Sequence, residues 1–522
     1  MRWLTGLILC VLALIAAGII LRAAMPLPSL EGRTASRLVA DTADTRLGRG
    51  VASLADAHPD LSGIYLLADA VDSFAARVLL MRAATRTIDV QYYIWHDDLT
   101  GTLLFDELRA AANRGVRVRL LLDDNNTAGL DPVIAALDAH PNIEVRLFNP
   151  FTIRRPRLLA YLLDFPRLNR RMHNKSLTAD NQATIIGGRN IGDEYFGAGQ
   201  GALFVDLDVL AIGPVVSGVS RDFDRYWACA SAHPAARIVQ ALEPARLEEV
   251  NARLAAAAST PRGRAYLESV SASPAVGQLL EGRLPFEWAP VRLLSDHPAK
   301  GLGRAPRDDL LFSSLAASMG SPERRLDLVS GYFVPTKAGT RTLAAMAERG
   351  VDIWVLTNAL EATDVPIVHA GYVKWRKPLL RAGVRIYELR GADAAARPSR
   401  DMSGGSGSRL TGAGSALHAK TIAIDGKRLF VGSFNFDPRS ANLNTELGFV
   451  IDSPALARQV HRTFERFAPE RSYEVRLDPG GRLFWTERRG DEEIRHDREP
   501  GTSFWQRTAV SALSRLPIEW LL

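Results

Sequence analysis

A short pattern occurs twice in this chain, and it limits what the chain can fold into more than any other feature. His173-Asn174-Lys175 is followed by Asp180, and His418-Ala419-Lys420 by Asp425, so both copies read His-x-Lys-x4-Asp. After each copy come an apolar β-like run, a glycine and an asparagine, in Gly187-Gly188-Arg189-Asn190 and Gly432-Ser433-Phe434-Asn435. Asn190 and Asn435 each stand 17 residues after their histidine. The chain holds ten histidines and only seven lysines, so coincidence is a poor explanation. The rest of the chain has to bring the two copies together.

The residues before each copy support a duplication. Hydrophobic periodicity predicts a helix over 70–84, a strand over 87–95, an amphipathic helix over 103–113 ended by Gly115, and a strand over 116–122 that runs into Asp123-Asp124-Asn125-Asn126. A matching β-α-β pattern occupies 326–333, 339–348 and 351–356. The repeat has a domain-sized period, too long for a solenoid. The expected fold is α/β: two similar domains, each a mixed sheet flanked by helices, packed around a pseudo-twofold axis. An N-terminal hydrophobic helix precedes them. The expected divisions are 1–24, a membrane anchor or signal segment; 60–228, the first domain; 229–290, an Ala-rich helical connector on the outside; 291–470, the second domain; and 471–522, an extension with an amphipathic end.

Residues 3–21 form a 19-residue run without charge, flanked by Arg2 and Arg22, long enough to span a bilayer as a helix. Arg22-Ala23-Ala24 fits a signal-peptide cleavage site poorly, which favours an uncleaved anchor. The net charge of +6 suits an anionic partner, nucleic acid or phospholipid headgroups, without choosing between them, and is also compatible with a plain solvated surface. Cys10 and Cys229 are the only cysteines, which argues against a cysteine-rich metal site. Arg154-Arg155-Pro156-Arg157, apolar 158–163 and basic 167–171 read either as a membrane-surface segment or as a loop over the core. The Gly/Ser-rich stretch 403–415 reads as a loop at the mouth of the site or as an insertion. The Trp- and Leu-rich C-terminus docks either on a bilayer or on the protein body.

This spacing suits phosphoryl chemistry. Alternate residues of a strand share a face, so His173 and Lys175 point the same way, as do His418 and Lys420. Two lysines and the amides of Asn190 and Asn435 can neutralise phosphate oxygens. One neutral imidazole can attack phosphorus, and a second can protonate the leaving alkoxide and later activate an acceptor hydroxyl. The lysines take the place of a cationic cofactor, so no cofactor and no metal are expected. Asp180 and Asp425 are grouped with the catalytic residues, with loop-holding by accepted backbone hydrogen bonds as the other reading.

The duplicated motif resembles the phospholipase D superfamily, whose members join two such halves around one site. The resemblance implies His173 as nucleophile and His418 as general acid/base. It also implies a carboxylate behind each histidine: Asp206, in Val205-Asp206-Leu207-Asp208, for the first, and Glu446, in Asn444-Thr445-Glu446-Leu447, for the second. The runs Ile88-Asp89-Val90-Gln91-Tyr92-Tyr93-Ile94-Trp95, Gly187-Gly188-Arg189-Asn190-Ile191-Gly192-Asp193-Glu194-Tyr195-Phe196 and Val431-Gly432-Ser433-Phe434-Asn435-Phe436-Asp437-Pro438-Arg439-Ser440 are similar, more narrowly, to bacterial cardiolipin synthases of the C type. That likeness implies transfer of a phosphatidyl group onto phosphatidylglycerol, from phosphatidylethanolamine or a second phosphatidylglycerol, at a bacterial inner membrane. A helper protein is left open, and nucleic acid is not expected as a partner. The competing readings are a hydrolase with the same covalent step, acting on lipid or nucleic acid, and a non-catalytic membrane scaffold that binds lipid.

Overall fold

The computed structural model describes residues 3, 25–199, 203–273, 277–278, 282–391 and 416–522. Residues 4–24 and the Gly/Ser stretch 403–415 lie outside the described residues, so the expected anchor and mouth loop do too. Among the described residues, no helix is long and apolar enough to cross a membrane.

The first half contributes strands β1 (Ser62–Leu67), β2 (Thr87–Ile94), β3 (Arg117–Asn126), β4 (Ile143–Phe148), β5 (Ser176–Ala179), β6 (Ala183–Gly187), the short β7 (Phe204–Val205), β8 (Asp208–Ile212), β9 (Ala232–Pro234) and β10 (Glu287–Ala289). The second contributes β11 (Val291–Ser295), β12 (Arg325–Ser330), β13 (Asp352–Asn358), β14 (Arg385–Leu389), β15 (Ala416–Leu417), β16 (Lys420–Ile424), β17 (Arg428–Gly432), β18 (Leu447–Ile451), β19 (Ser472–Leu477), β20 (Leu483–Arg489) and β21 (Glu492–His496). The central strands are β-branched and aromatic. Residues 87–92 of β2 are all buried, as befits a strand covered on both faces.

The first sheet runs β10-β1-β8-β6-β5-β2-β3-β4-β9 and the second β11-β18-β17-β16-β12-β13-β14-β19-β20-β21. From β1 and from β11 the orders correspond strand for strand. The directions agree as well: β2, β3 and β4 are parallel, as are β12, β13 and β14, while β5 and β16 run antiparallel to β2 and β12. Both predicted β-α-β units are present. The helix expected over 103–113 is Leu99–Asn113, because Asp98 caps it by accepting from the Gly101 amide at 3.0 Å. Gly115, at φ 92°, ends the turn that follows.

The sheets meet through one apolar layer. Ile186, Val209 and Ala211 of the first pack with Val431, Leu447, Phe449 and Ile451 of the second. The 229–290 segment does carry helices, Pro244–Ala256 and Pro261–Ser271, but it is not only an outer connector. Val250, Leu254 and Tyr266 are buried in the first core, and β9 and β10 close the two edges of the first sheet. Residues 472–496 extend the second sheet. The helix Phe504–Leu513 docks on the body through Val510, which is buried with Leu360 and Ala370.

Candidate active site

Each motif copy is docked onto the opposite half of the chain. β15 lies parallel to β7, and the His418 amide donates to Val205 O at 2.9 Å. On the other side, Met172 bridges to Thr445, the His173 amide donates to Thr445 O at 2.9 Å, and the Thr445 amide to Arg171 O at 2.9 Å. The residue after each docked position is a carboxylate. Asp206 therefore comes to lie beside His418, and Glu446 beside His173.

This corrects the expected pairing. His173 Nδ1 is 2.8 Å from Glu446 Oε2, and His418 Nδ1 is 2.6 Å from Asp206 Oδ2. Each half supplies the carboxylate for the other half's histidine, because the docked strand segments cross between halves. With Nδ1 engaged on both rings, Nε2 is the atom left for chemistry. Tyr93 meets the His173 ring edge-on at 4.9 Å, and Tyr195 meets His418 at 5.3 Å. Glu446 is itself held by the hydroxyls of Ser433 and Ser440, the latter at 2.8 Å from Oε1.

Lys175 Nζ donates to His173 O at 2.7 Å, and Lys420 Nζ makes the matching bond to His418 O. Each ammonium keeps further N–H bonds for a ligand. Asn190 accepts from the Ile94 amide and donates from Nδ2 to Tyr195 OH at 3.0 Å. The Asn435 side-chain oxygen is buried and has no hydrogen-bond partner among the described residues.

The site is buried and strongly charged, and the protonation states follow from that. Burial, reinforced by Lys175 and Lys420, holds the His173 imidazole well below its ordinary value. Burial and Lys420 bring His418 down to about 4, against the pull of Asp206. Burial lowers Lys175 well below the usual ammonium range and lowers Lys420 as well, each partly offset by Glu446 and Asp206. The two carboxyls differ. Burial pushes both up, but His418, Lys420 and Arg189 outweigh it at Asp206, which stays well below the usual range. Glu446 rises to about 7. The empty site thus holds two neutral imidazoles, with their lone pairs available at Nε2. An anion placed between the lysines would favour the charged form of either ring.

Asp180 and Asp425 make the hydrogen bonds of the loop-holding reading. Asp180 accepts from the backbone amides of Thr85, Arg86 and Thr87 at 2.8–2.9 Å, and Asp425 from those of Glu323, Arg324 and Arg325 at 2.8–3.0 Å. Each fixes the turn that leads into β2 or β12. At about 3.3 Å per residue, the strand carries the aspartate to the opposite end of the strand from its histidine. Sequence reasoning missed another buried pair, Asp296 and Lys300. Lys300 Nζ donates to Asp296 Oδ2 and to Ser440 O, both at 2.8 Å, and Asp296 Oδ2 accepts the Glu446 amide at 2.9 Å. Asp-His-Pro-Ala-Lys has no counterpart in the first half, so the duplication gave no signal for it. Outside the site, His96, Asp98 and Glu194 bring ligand-type atoms within 4.8 Å of one another, but Asp98 is already engaged as a helix cap.

Comparison with known proteins gives the family of the chain. The family profile described as "Cardiolipin synthase, PLD-like domain" matches residues 78–227 and 315–468. The chain is 52% identical to cardiolipin synthase C of Escherichia coli K12 over 481 residues, 91% of this chain and 100% of that relative. It is 25% identical to cardiolipin synthase A of Pseudomonas entomophila L48 over 77% of this chain and 67% of that relative. The crystal structure of phosphatidylserine synthase from Haemophilus influenzae Rd KW20 has the same fold, with a TM-score of 0.54 at 13% identity, covering 90% of this chain and 100% of that one. Two profile matches, one over each motif, together span more than half of the sequence, and the chain belongs to the phospholipase D-like cardiolipin synthase family.

Proposed function

We propose that this protein is a phosphatidyltransferase that makes cardiolipin by moving a phosphatidyl group onto phosphatidylglycerol through a covalent phosphohistidine. The observation that carries the reading is the crossed pair of carboxylate-held imidazoles beside two buried lysines. The two halves are related by a pseudo-twofold axis, and one phosphodiester sits on it.

In the first step, His173 Nε2 attacks phosphorus and a P–N bond forms. The P–O bond to the leaving glycerol or ethanolamine breaks, and that oxygen takes a proton from His418 Nε2, which took it up from solvent when the phosphodiester bound and, with ionised Asp206, favoured the charged ring. In the second step, His418 accepts the proton of a phosphatidylglycerol hydroxyl, whose oxygen attacks phosphorus. The P–N bond breaks and His173 is released. Ionised Asp206 suits the histidine that must carry charge, His418; neutral His173 suits the nucleophile. Lys175, Lys420, Asn190 and Asn435 bind the phosphate oxygens. Phosphatidylglycerol and phosphatidylethanolamine are the lipid partners. Residues 3–21 anchor the enzyme in a bacterial inner membrane.

Labelled phosphatidylglycerol, supplied to the purified protein with and without phosphatidylethanolamine, tests this. Labelled cardiolipin is the expected product. Phosphatidic acid alone makes the protein a lipid hydrolase, and cleavage of single-stranded DNA alone makes it a nuclease.

A further inference from the structure

We infer that the helix Arg157–Leu168 is a bilayer-docking face that brings the site entrance to the phospholipid surface. Leu158 and Leu162 are 69% and 74% exposed, with Leu159 beside them on the helix and Phe165 beyond its kink. Pro166 and the non-helical Asp164 account for that kink. A monomer gains nothing by leaving such a stripe in water. Four observations name its occupant. Met25, Pro26 and Leu27, which follow the uncharged 3–21 run within a few residues, line a cavity of about 180 Å³ together with Ala160, Leu163 and Leu168 of this helix. Arg155, next to the helix start, is exposed, as a headgroup-facing cation should be. Arg439 ties the helix end to the C-terminus, donating to Asn169 O at 3.0 Å and to Leu521 O at 3.0 Å, beside Trp520, which is 62% exposed. Finally, Tyr161 of this helix meets the Phe151 ring edge-on at 5.3 Å, and Arg171, two residues before His173, lies over the same ring at 5.7 Å, which sets the helix beside the segment that carries the nucleophile.

This inference rests on the lipid-substrate reading, and the test separates the two. The full chain carrying Leu162→Cys with an environment-sensitive fluorophore is reconstituted into vesicles of phosphatidylglycerol and phosphatidylethanolamine. An Ala139→Cys label, on an exposed turn at the start of β4, the end of that strand away from the docking helix, is the control. The expected result is a blue shift and quenching by bromine-tailed lipid at position 162 only. Equal emission at both positions overturns the inference whatever the activity. As a second measurement, Leu158→Glu/Leu162→Glu should lower transfer on vesicles about tenfold for each leucine removed from the bilayer. It should leave turnover of monomeric short-chain phosphatidylglycerol unchanged. An equal loss on both substrates also overturns the docking role. A wild-type protein inactive on both substrates, with the label still inserted, would refute the lipid-transferase reading and leave the docking face standing.

Discussion

Glu446 reaches across 273 residues of sequence to hold the imidazole of His173, while Asp206 does the same for His418 across 212. Neither histidine is oriented by its own half, so a separated half would present an imidazole with nothing on Nδ1. The two interactions serve different histidines in the proposed cycle. Glu446→Gln should slow formation of the phosphoenzyme, and Asp206→Asn should slow both steps with a natural lipid but only breakdown with an activated substrate whose leaving group needs no proton. Each should lower kcat by roughly 10²–10⁴-fold, the scale seen when an orienting carboxylate is removed from a catalytic histidine. Rapid-quench measurement with such an activated substrate separates them: phosphoprotein accumulates in Asp206→Asn and stays low in Glu446→Gln. The reverse pattern would exchange the roles of the two histidines.

His173→Ala and His418→Ala should each abolish turnover. The His418 variant keeps the nucleophile and loses the acid and base, so labelled phosphate from an activated substrate should be trapped on His173. Mass mapping checks the position. Label on His418 in the His173 variant would contradict the assignment.

Stability should depend on pH through the buried imidazoles. In the unfolded chain a histidine takes up a proton near pH 6.5, whereas folded His418 does so only near pH 4. Between these values the unfolded chain binds more protons, so His418 stabilises the fold above pH 6.5 and loses that contribution as pH falls towards 4, on the order of 3 kcal/mol in all. Glu446 acts in the opposite sense. Its carboxyl, raised to about 7, binds a proton more tightly in the fold, so its contribution is present at low pH and is lost as pH rises through that value. Thermal melts between pH 4 and 8 should therefore show a steeper acid loss in Glu446→Gln than in the parent. An unchanged pH profile would mean that Glu446 does not titrate in this range.

Asp180→Ala should act on folding rather than on chemistry. The change takes the carboxylate away from three backbone amides, of which that of Thr87 is fully buried, at a cost of about 1–3 kcal/mol. The melting temperature should drop while kcat per folded molecule stays near that of the parent. A large kcat loss in well-folded protein would return Asp180 to the catalytic residues.

How much of this was readable beforehand depended on which residues were local. The β-α-β units showed in their periodicity, and the histidines, lysines and asparagines showed because they recur. The carboxylate pairing did not, because sequence places Asp206 nearer to His173 and Glu446 nearer to His418, and only the docking of β7 on β15 and of Met172 on Thr445 crosses them. Spacing alone did not separate the two readings of the motif aspartates, and their accepted backbone hydrogen bonds show only in the fold. β10 completes the first sheet on β1, a partner so distant in sequence that no local pattern names it.

Lys300 offers the sharpest test of how far the site extends. It is 2% exposed, paired with fully buried Asp296, and reaches Glu446 by two routes. Asp296 takes the Glu446 amide, and the carbonyl of Ser440, whose hydroxyl holds Glu446 Oε1, accepts from Lys300. Lys300→Met leaves Asp296 charged and alone, which should cost about 3–5 kcal/mol. Lys300→Met/Asp296→Leu removes both charges and should recover much of that stability. If Lys300 also positions Glu446, the double variant should fold well yet keep a kcat about tenfold low, with KM unchanged, since the Glu446 amide and Ser440 carbonyl would still lack their partners. Full recovery of rate along with stability would show that the pair serves only the packing of the second half.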